Sequence, residues 1–178
     1  MGLFWGSEST STSSGGGSMI VTAEQMRGEF TDHMDRKGLK YSILDESDNI
    51  VLLFFGGKKY DTYVVADFDE STPCDTVHFS SPNFATCSKS NLPALFIKLN
   101  ELNRRFRWVK FWVNDEGSLT ADTDAYIERG TVGEECMYVI LRVSNILEDA
   151  LESMEGLVEL DKSTGDALRM AGVLRRFT

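Results

Sequence analysis

The sequence predicts an α+β domain in which an antiparallel sheet carries helices mainly on one face, in the order α-β-β-β-β-α-β-β-α. Strand-like runs separated by short turns indicate antiparallel neighbours, and three segments with apolar residues at helical spacing flank or interrupt these runs. The 178 residues, 42% of them hydrophobic and 11% aromatic, suffice for one well-packed domain. This composition excludes a disordered chain and a coiled-coil rod.

The chain begins with a segment that we expect to lie outside the domain. From Ser7 to Ser18 every residue except Glu8 is Gly, Ser or Thr, and such a composition buries too little apolar surface to become ordered. We therefore interpret residues 1–18 as a flexible leader. It is either an extraneous addition before Met19 or a tether for the apolar tip at residues 3–5.

The first helix and four strands follow the leader. A capping box formed by Thr22 and Gln25 begins the helix, and Gly38 ends it. Turn residues then separate four runs with strand character. We predict these strands at residues 40–44, 50–55, 60–68 and 76–80.

The second half of the domain is predicted as a helix, two strands and a long helix. Pro93 suits the first turn of the second helix. Strands at residues 108–113 and 118–126 are joined by a hairpin turn. Thr131 and Glu134 form a second capping box before a helix whose apolar stripe includes Leu141 and Ile146, and Gly156 suits its C-terminal end.

These boundaries place the domain at residues 19–156 and leave a C-terminal tail at residues 157–178. Leu168, Ala171 and Leu174 have the spacing of a short helix in this tail, and arginines are interspersed among them. The tail either docks on the domain or stays mobile.

Charge and apolar patterning restrict the partners and the compartment. The 28 acidic and 18 basic residues give a net charge of -10, so we expect no nucleic acid partner. The one basic cluster, residues 104–110, follows the second helix, where cations complement the helix dipole. No apolar run reaches the length that crosses a bilayer, so we expect no membrane partner. Cys74, Cys87 and Cys136 lack CxxC spacing and fit isolated thiols in the cytoplasm.

No motif in the sequence predicts a reaction or a cofactor. The spacing of acids from Asp67 to Asp75 resembles a calcium loop, but Thr72 and His78 replace the required Gly and Glu, so we expect no metal site. The enzymatic alternative is a small hydrolase or transferase that uses His78 with Cys74 or Cys87. A small-molecule sensor with an apolar cavity is a further alternative.

The second strand suggests an exposed apolar surface. Residues 50–55 are apolar at six consecutive positions and therefore on both faces of the strand. We expect Ile50, Leu52 and Phe54 to pack beneath the helices, and the opposite face to be left open to solvent or a partner. The alternative is that the third helix or the tail closes that opposite face. The residues of that opposite face, together with an outward-facing tryptophan of the fifth strand, are the predicted binding site: Val51, Leu53, Phe55 and Trp112.

Residues 99–103 (LNELN), residues 109–113 (VKFWV), the turn at 115–117 and the final amphipathic helix together carry a resemblance. Over residues 20–154 the chain resembles the YbjN-like family of bacterial proteins, described as sensory transduction regulators with a fold like that of type III secretion chaperones. The resemblance implies an intracellular regulatory or chaperone-like module, often dimeric, without catalytic residues. Asn100 and Asn103 share one helical face, where they cap the helix end or bind the neighbouring strand.

We therefore predict a non-enzymatic module that binds a protein or peptide through an apolar sheet face. A homodimer that buries this face against a second copy of the chain is the expected assembly.

Overall fold

The structure is a computed structural model that describes residues 21–45, 49–71 and 73–161. The predicted leader and the predicted helix of the tail lie outside the described residues. The helices are α1 (Ala23–Arg36), α2 (Leu92–Arg105) and α3 (Val132–Ser153). The strands are β1 (Ser42–Asp45), β2 (Ile50–Phe55), β3 (Thr62–Phe68), β4 (Thr76–Thr86), β5 (Lys110–Val113), β6 (Ser118–Tyr126) and β7 (Glu159–Leu160). The predicted order of elements is confirmed, with β7 as an addition.

One predicted capping box is confirmed and the other is wrong. At α1 the Gln25 amide donates to the Thr22 hydroxyl, and the Thr22 amide donates to the Gln25 side chain. At α3 the Thr131 hydroxyl instead has two acceptors within reach, a carboxylate oxygen of Glu135 at 2.8 Å and the carbonyl oxygen of Glu128 at 3.0 Å. The backbone of Thr131 is not extended, with φ -116° and ψ 3°, and a capping hydroxyl normally needs the extended conformation to reach the helix amides.

The strands form one antiparallel sheet in the order β1-β2-β3-β4-β6-β5, and β7 pairs with the end of β4. β4 has 11 residues and extends well beyond the predicted end at residue 80. Its ladder to β6 is irregular between Ser81 and Ala85. Pro82 and Asn83, which has a φ of 52°, lie at this irregularity. These two residue types are typical of strand ends, and here they mark a bulge within one long strand.

The helices cover one face of the sheet, which we call the helix-side face. The Thr62 and Ser144 hydroxyls are 2.7 Å apart, which places α3 over β3. The Phe30 and Phe68 rings lie 5.8 Å apart between α1 and the same strand. The α2 residues Leu95, Leu99 and Leu102 are buried, as their spacing predicts.

The two faces of β2 are the reverse of the sequence expectation. Val51 pairs with Ala66, Leu53 with Val64 and Phe55 with Thr62, and paired residues of antiparallel strands share a face. Val51 and Leu53 therefore lie under the helices with 0% and 2% exposure, so the expectation that this face stays open is wrong. Phe55 is half-buried. A strand that is apolar on both faces has no alternation from which its orientation can be predicted.

The opposite surface of the sheet is called here the far face. Its register positions alternate with those beneath the helices along each strand, except at the bulge of β4. The register assigns the following residues to the far face: Ile50, Leu52, Phe54, Tyr63, Val65, Asp67, His78, Ser80, Lys110, Trp112, Asp122, Asp124 and Tyr126.

Candidate protein-binding surface

The four residues predicted to bind a partner do not form one surface. Trp112 is 47% exposed on the far face, and its indole N–H donates to the Asp122 carboxylate at 2.8 Å. Val51, Leu53 and Phe55 belong to the helix-side face. Trp112 alone among the four presents a large accessible side chain, and its role as a contact remains a prediction.

Asn103 covers the free edge of the sheet. Its side-chain amide donates to the Phe111 carbonyl at 3.0 Å, and the Phe111 amide donates back to its Oδ1 atom at 2.8 Å. Of the two roles predicted for the asparagines of α2, binding of the neighbouring strand is therefore the one that Asn103 has. Because β5 is the last strand of the sheet, these bonds satisfy backbone groups that face away from β6. Another strand cannot pair at Phe111 without displacing Asn103.

An exposed groove lies between the end of α2 and α3, with a volume of about 480 Å³. Tyr138 is 66% exposed there, and Leu141 is exposed although its spacing assigned it to the apolar stripe of α3. The groove is lined by Phe106, Tyr138, Leu141, Arg142, Asn145, Ile146 and Asp149, and we call it the aromatic groove. It combines apolar and aromatic side chains with arginine, a composition typical of protein interfaces.

Basic side chains border the aromatic groove. The Arg142 guanidinium lies 4.9 Å from the ring centroid of Trp108, which is itself exposed. Arg105 pairs with Asp149 across the groove at 3.1 Å, and Arg107 is exposed nearby in sequence. Arg105 and Trp108 of the basic cluster at residues 104–110 therefore lie at the border of an apolar surface, in a chain whose net charge is negative.

Sequence reasoning missed this groove because its residues belong to two helices whose relative position is a tertiary property. The available signal was Tyr138, an aromatic residue that lies outside the predicted apolar stripe of α3. An aromatic side chain on the solvated side of a helix is a candidate contact. The sequence alone does not place Tyr138 near residues 104–108.

The Cys/His pair of the enzymatic alternative does not form. The Cys74 thiol donates to the Thr76 carbonyl, and the Cys87 thiol donates to the Ser88 carbonyl, so neither is bonded to His78. Both thiols are buried, and this burial raises their pKa instead of producing the lowered value of a nucleophilic thiolate.

The imidazole of His78 pairs with Asp124 at 2.8 Å on the far face. It borders an open cleft of about 510 Å³ that also includes Ile50, Asp67, Asp69, Glu70 and Thr76. The cleft is acidic and exposed to solvent, whereas a small-molecule sensor needs a largely apolar cavity with a few convergent polar groups. This cleft therefore does not support the sensor alternative.

Comparison with known proteins identifies the family of this domain. The family model described as "YbjN: Putative bacterial sensory transduction regulator" matches residues 28–155. The chain belongs to the YbjN family. No curated protein matches the sequence.

Two solved structures share the fold of this YbjN-family chain. The crystal structure of YbjN from E. coli matches with a TM-score of 0.54 and 14% identity, over 74% of this chain and 94% of that protein. A chain from the crystal structure of the ExsC-ExsE complex matches with a TM-score of 0.51 and 15% identity, over 77% and 96% of the two chains. The similarity confirms the predicted α+β fold with an antiparallel sheet. Within the described residues, no helix is long and apolar enough to span a membrane.

Proposed function

We propose that this protein is a non-enzymatic binding module that holds an apolar, acidic segment of a partner protein in the aromatic groove. The observation that carries the proposal is the exposure of Tyr138, Leu141 and Trp108 around one groove. Buried aromatic and arginine side chains contribute most of the binding energy in many protein interfaces. Membership of a regulator family and the chaperone-like fold support a binding function.

The basic border of the groove favours a partner segment with acidic residues. Arg142 places positive charge beside the apolar lining, in a chain with a net charge of -10. Most of the surface therefore repels an acidic partner, and the groove attracts it. This arrangement favours binding in one place and orientation. An amphipathic helix that lays its apolar face in the groove is the simplest segment of this chemistry.

The cytoplasm is the compartment that we propose for this module. Cys74, Cys87 and Cys136 are free and buried, as expected where thiols stay reduced.

The proposal is tested with a fluorescent synthetic peptide that forms a leucine-striped helix with glutamates beside the stripe. We expect the protein to bind it and Tyr138→Asp to weaken binding about tenfold or more, because a charge enters the apolar lining. Tyr126→Asp is the matched control, since Tyr126 is 73% exposed on the far face. Fluorescence anisotropy measures both affinities.

A second peptide, with lysines in place of the glutamates, separates apolar from electrostatic attraction. Weaker binding of the lysine peptide is expected, and the preference should shrink in high salt. The proposal fails if Tyr138→Asp and Tyr126→Asp bind the glutamate peptide equally well. It also fails if neither peptide binds.

Homodimerisation is the second form of this proposal, in which a second copy supplies the contact. Among the four residues that the sequence predicts as contacts, Trp112 is exposed on the far face, where a second copy can reach it. Light scattering should then report a dimer that dissociates when Trp112→Asp is introduced. A monomeric wild-type protein at micromolar concentration would contradict the dimer and leave the groove proposal intact.

A further inference from the structure

One end of the far face is more deeply buried than the helices explain. Leu52 is completely buried there, and Tyr63 and Val65 are nearly so. The contacts described above place the helices against the opposite face. A side chain in the middle of a sheet face loses all exposure only beneath a further layer of protein. We therefore expect a further segment of protein to cover this apolar end of the far face.

The path of the chain after α3 leads to this place. Leu160 of β7 pairs with Ala85, and the Asp161 amide donates to the Phe84 carbonyl at 3.3 Å. Because β7 is antiparallel to β4, the chain after Leu160 runs toward Pro82. The Pro82 carbonyl accepts a hydrogen bond from the Tyr63 hydroxyl.

Asp161 lies close to Tyr63. Burial raises the pKa of Tyr63, and the negative charge of Asp161 raises it further. The described chain thus ends at the margin of the buried patch.

The remaining segment, residues 162–178, has the composition that the far face requires. Leu168, Ala171 and Leu174 are spaced three residues apart, as on one side of a helix. The segment contains four basic residues and one acidic residue. As a helix it would span about 25 Å, whereas four neighbouring strands span about 14 Å.

The charges of the far face complement this segment. Asp67, Asp122 and Asp124 lie along it, with Lys110 as a basic residue among them. A second copy docked through the same face would offer the same three carboxylates and one lysine, which complement this charge less well than the basic segment does. The leader at residues 1–18 has no basic side chain with which to pair them.

We propose that residues 162–178 lie across the far face as an intramolecular cover. Leu168, Ala171 and Leu174 pack on the apolar end near Leu52 and Val65, and the arginines of the segment face the carboxylates. The aromatic groove lies on the opposite side of the sheet, so this inference and the groove proposal fail or succeed separately, whereas a dimer formed through Trp112 would use the same face as the cover.

Hydrogen exchange on the full chain and on a chain ending at Asp161 tests the cover. Removal of residues 162–178 should speed amide exchange in β2 and β3 about tenfold or more, because loss of the cover lowers the free energy of local opening. A synthetic peptide of residues 162–178, added to the shortened chain, should restore the slow exchange. A chain without residues 1–18 should exchange like the full chain.

Point variants of the full chain keep the test decisive if the shortened chain fails to fold. Leu168→Asp and Leu174→Asp should each speed exchange in the same strands. Ile97→Asp, at an exposed position of α2, is the matched control and should leave exchange in β2 and β3 unchanged. Unchanged exchange in the shortened chain or in both leucine variants would overturn the proposal. Acceleration only after removal of residues 1–18, or protection that rises with protein concentration, would also overturn it.

Discussion

The asparagine that covers the sheet edge allows a quantitative test. Asn103→Ala removes both hydrogen bonds to the Phe111 backbone, which measure 2.8 and 3.0 Å and are partly buried. Each bond contributes about 1 kcal/mol, and an N–H or C=O left without a partner adds a penalty where water does not reach it. We expect the free energy of unfolding to fall by about 2–3 kcal/mol, and the melting temperature to fall by about 6–10 °C.

Chemical denaturation measures this loss, and Asn100→Ala is its matched control. Asn100 lies three residues earlier on α2 and is exposed, so its substitution should change stability by less than about 0.5 kcal/mol. Asn103→Ala should also associate more readily in light scattering, because an uncovered edge strand can pair with another chain. Equal stability of the two variants would refute the assigned role of Asn103.

Three further predictions concern the core. Leu53→Asp should prevent cooperative folding, since it buries a carboxylate beneath the helices; a native circular dichroism melt would contradict this burial. Gly133→Ala should cost about 2–4 kcal/mol in chemical denaturation, because the new Cβ collides with His33 on α1. Gly28→Ala is its control on the open surface of α1 and should raise the free energy of unfolding by about 0.5–1 kcal/mol. A similar loss of stability in both variants would refute the collision. Burial raises the pKa of Cys136, so a thiol reagent at pH 8 should find little thiolate there until denaturant is added; rapid labelling of the folded protein would contradict this.

The binding proposal and the proposed cover concern opposite surfaces of the protein, the aromatic groove and the far face. Under the two proposals, the aromatic groove on the helical side would take an apolar, acidic partner segment, whereas the far face would be covered by residues 162–178. The cover would avoid exposure of Leu52 and Val65, which in an uncovered sheet would favour aggregation.

The sequence by itself determined the local elements. The capping box at Thr22 and Gln25 and the helical spacing of Leu95, Leu99 and Leu102 act over a few residues. The hairpin turns do the same, so the order of helices and strands was predictable. For Asn100 and Asn103 the sequence left two roles open, a cap of the helix end or binding of the neighbouring strand, and the structure shows the second role for Asn103.

Tertiary structure alone decided which surfaces are open. Residues 50–55 are apolar on both faces, so only the packing of α1 and α3 against β3 shows that Val51 and Leu53 are buried. The aromatic groove depends on the position of Tyr138 relative to the end of α2, which no local pattern encodes. β7 has two residues, and pairing with β4 is what makes it a strand. Local patterns specify elements, whereas the partners of an element are set by contacts between residues distant in sequence.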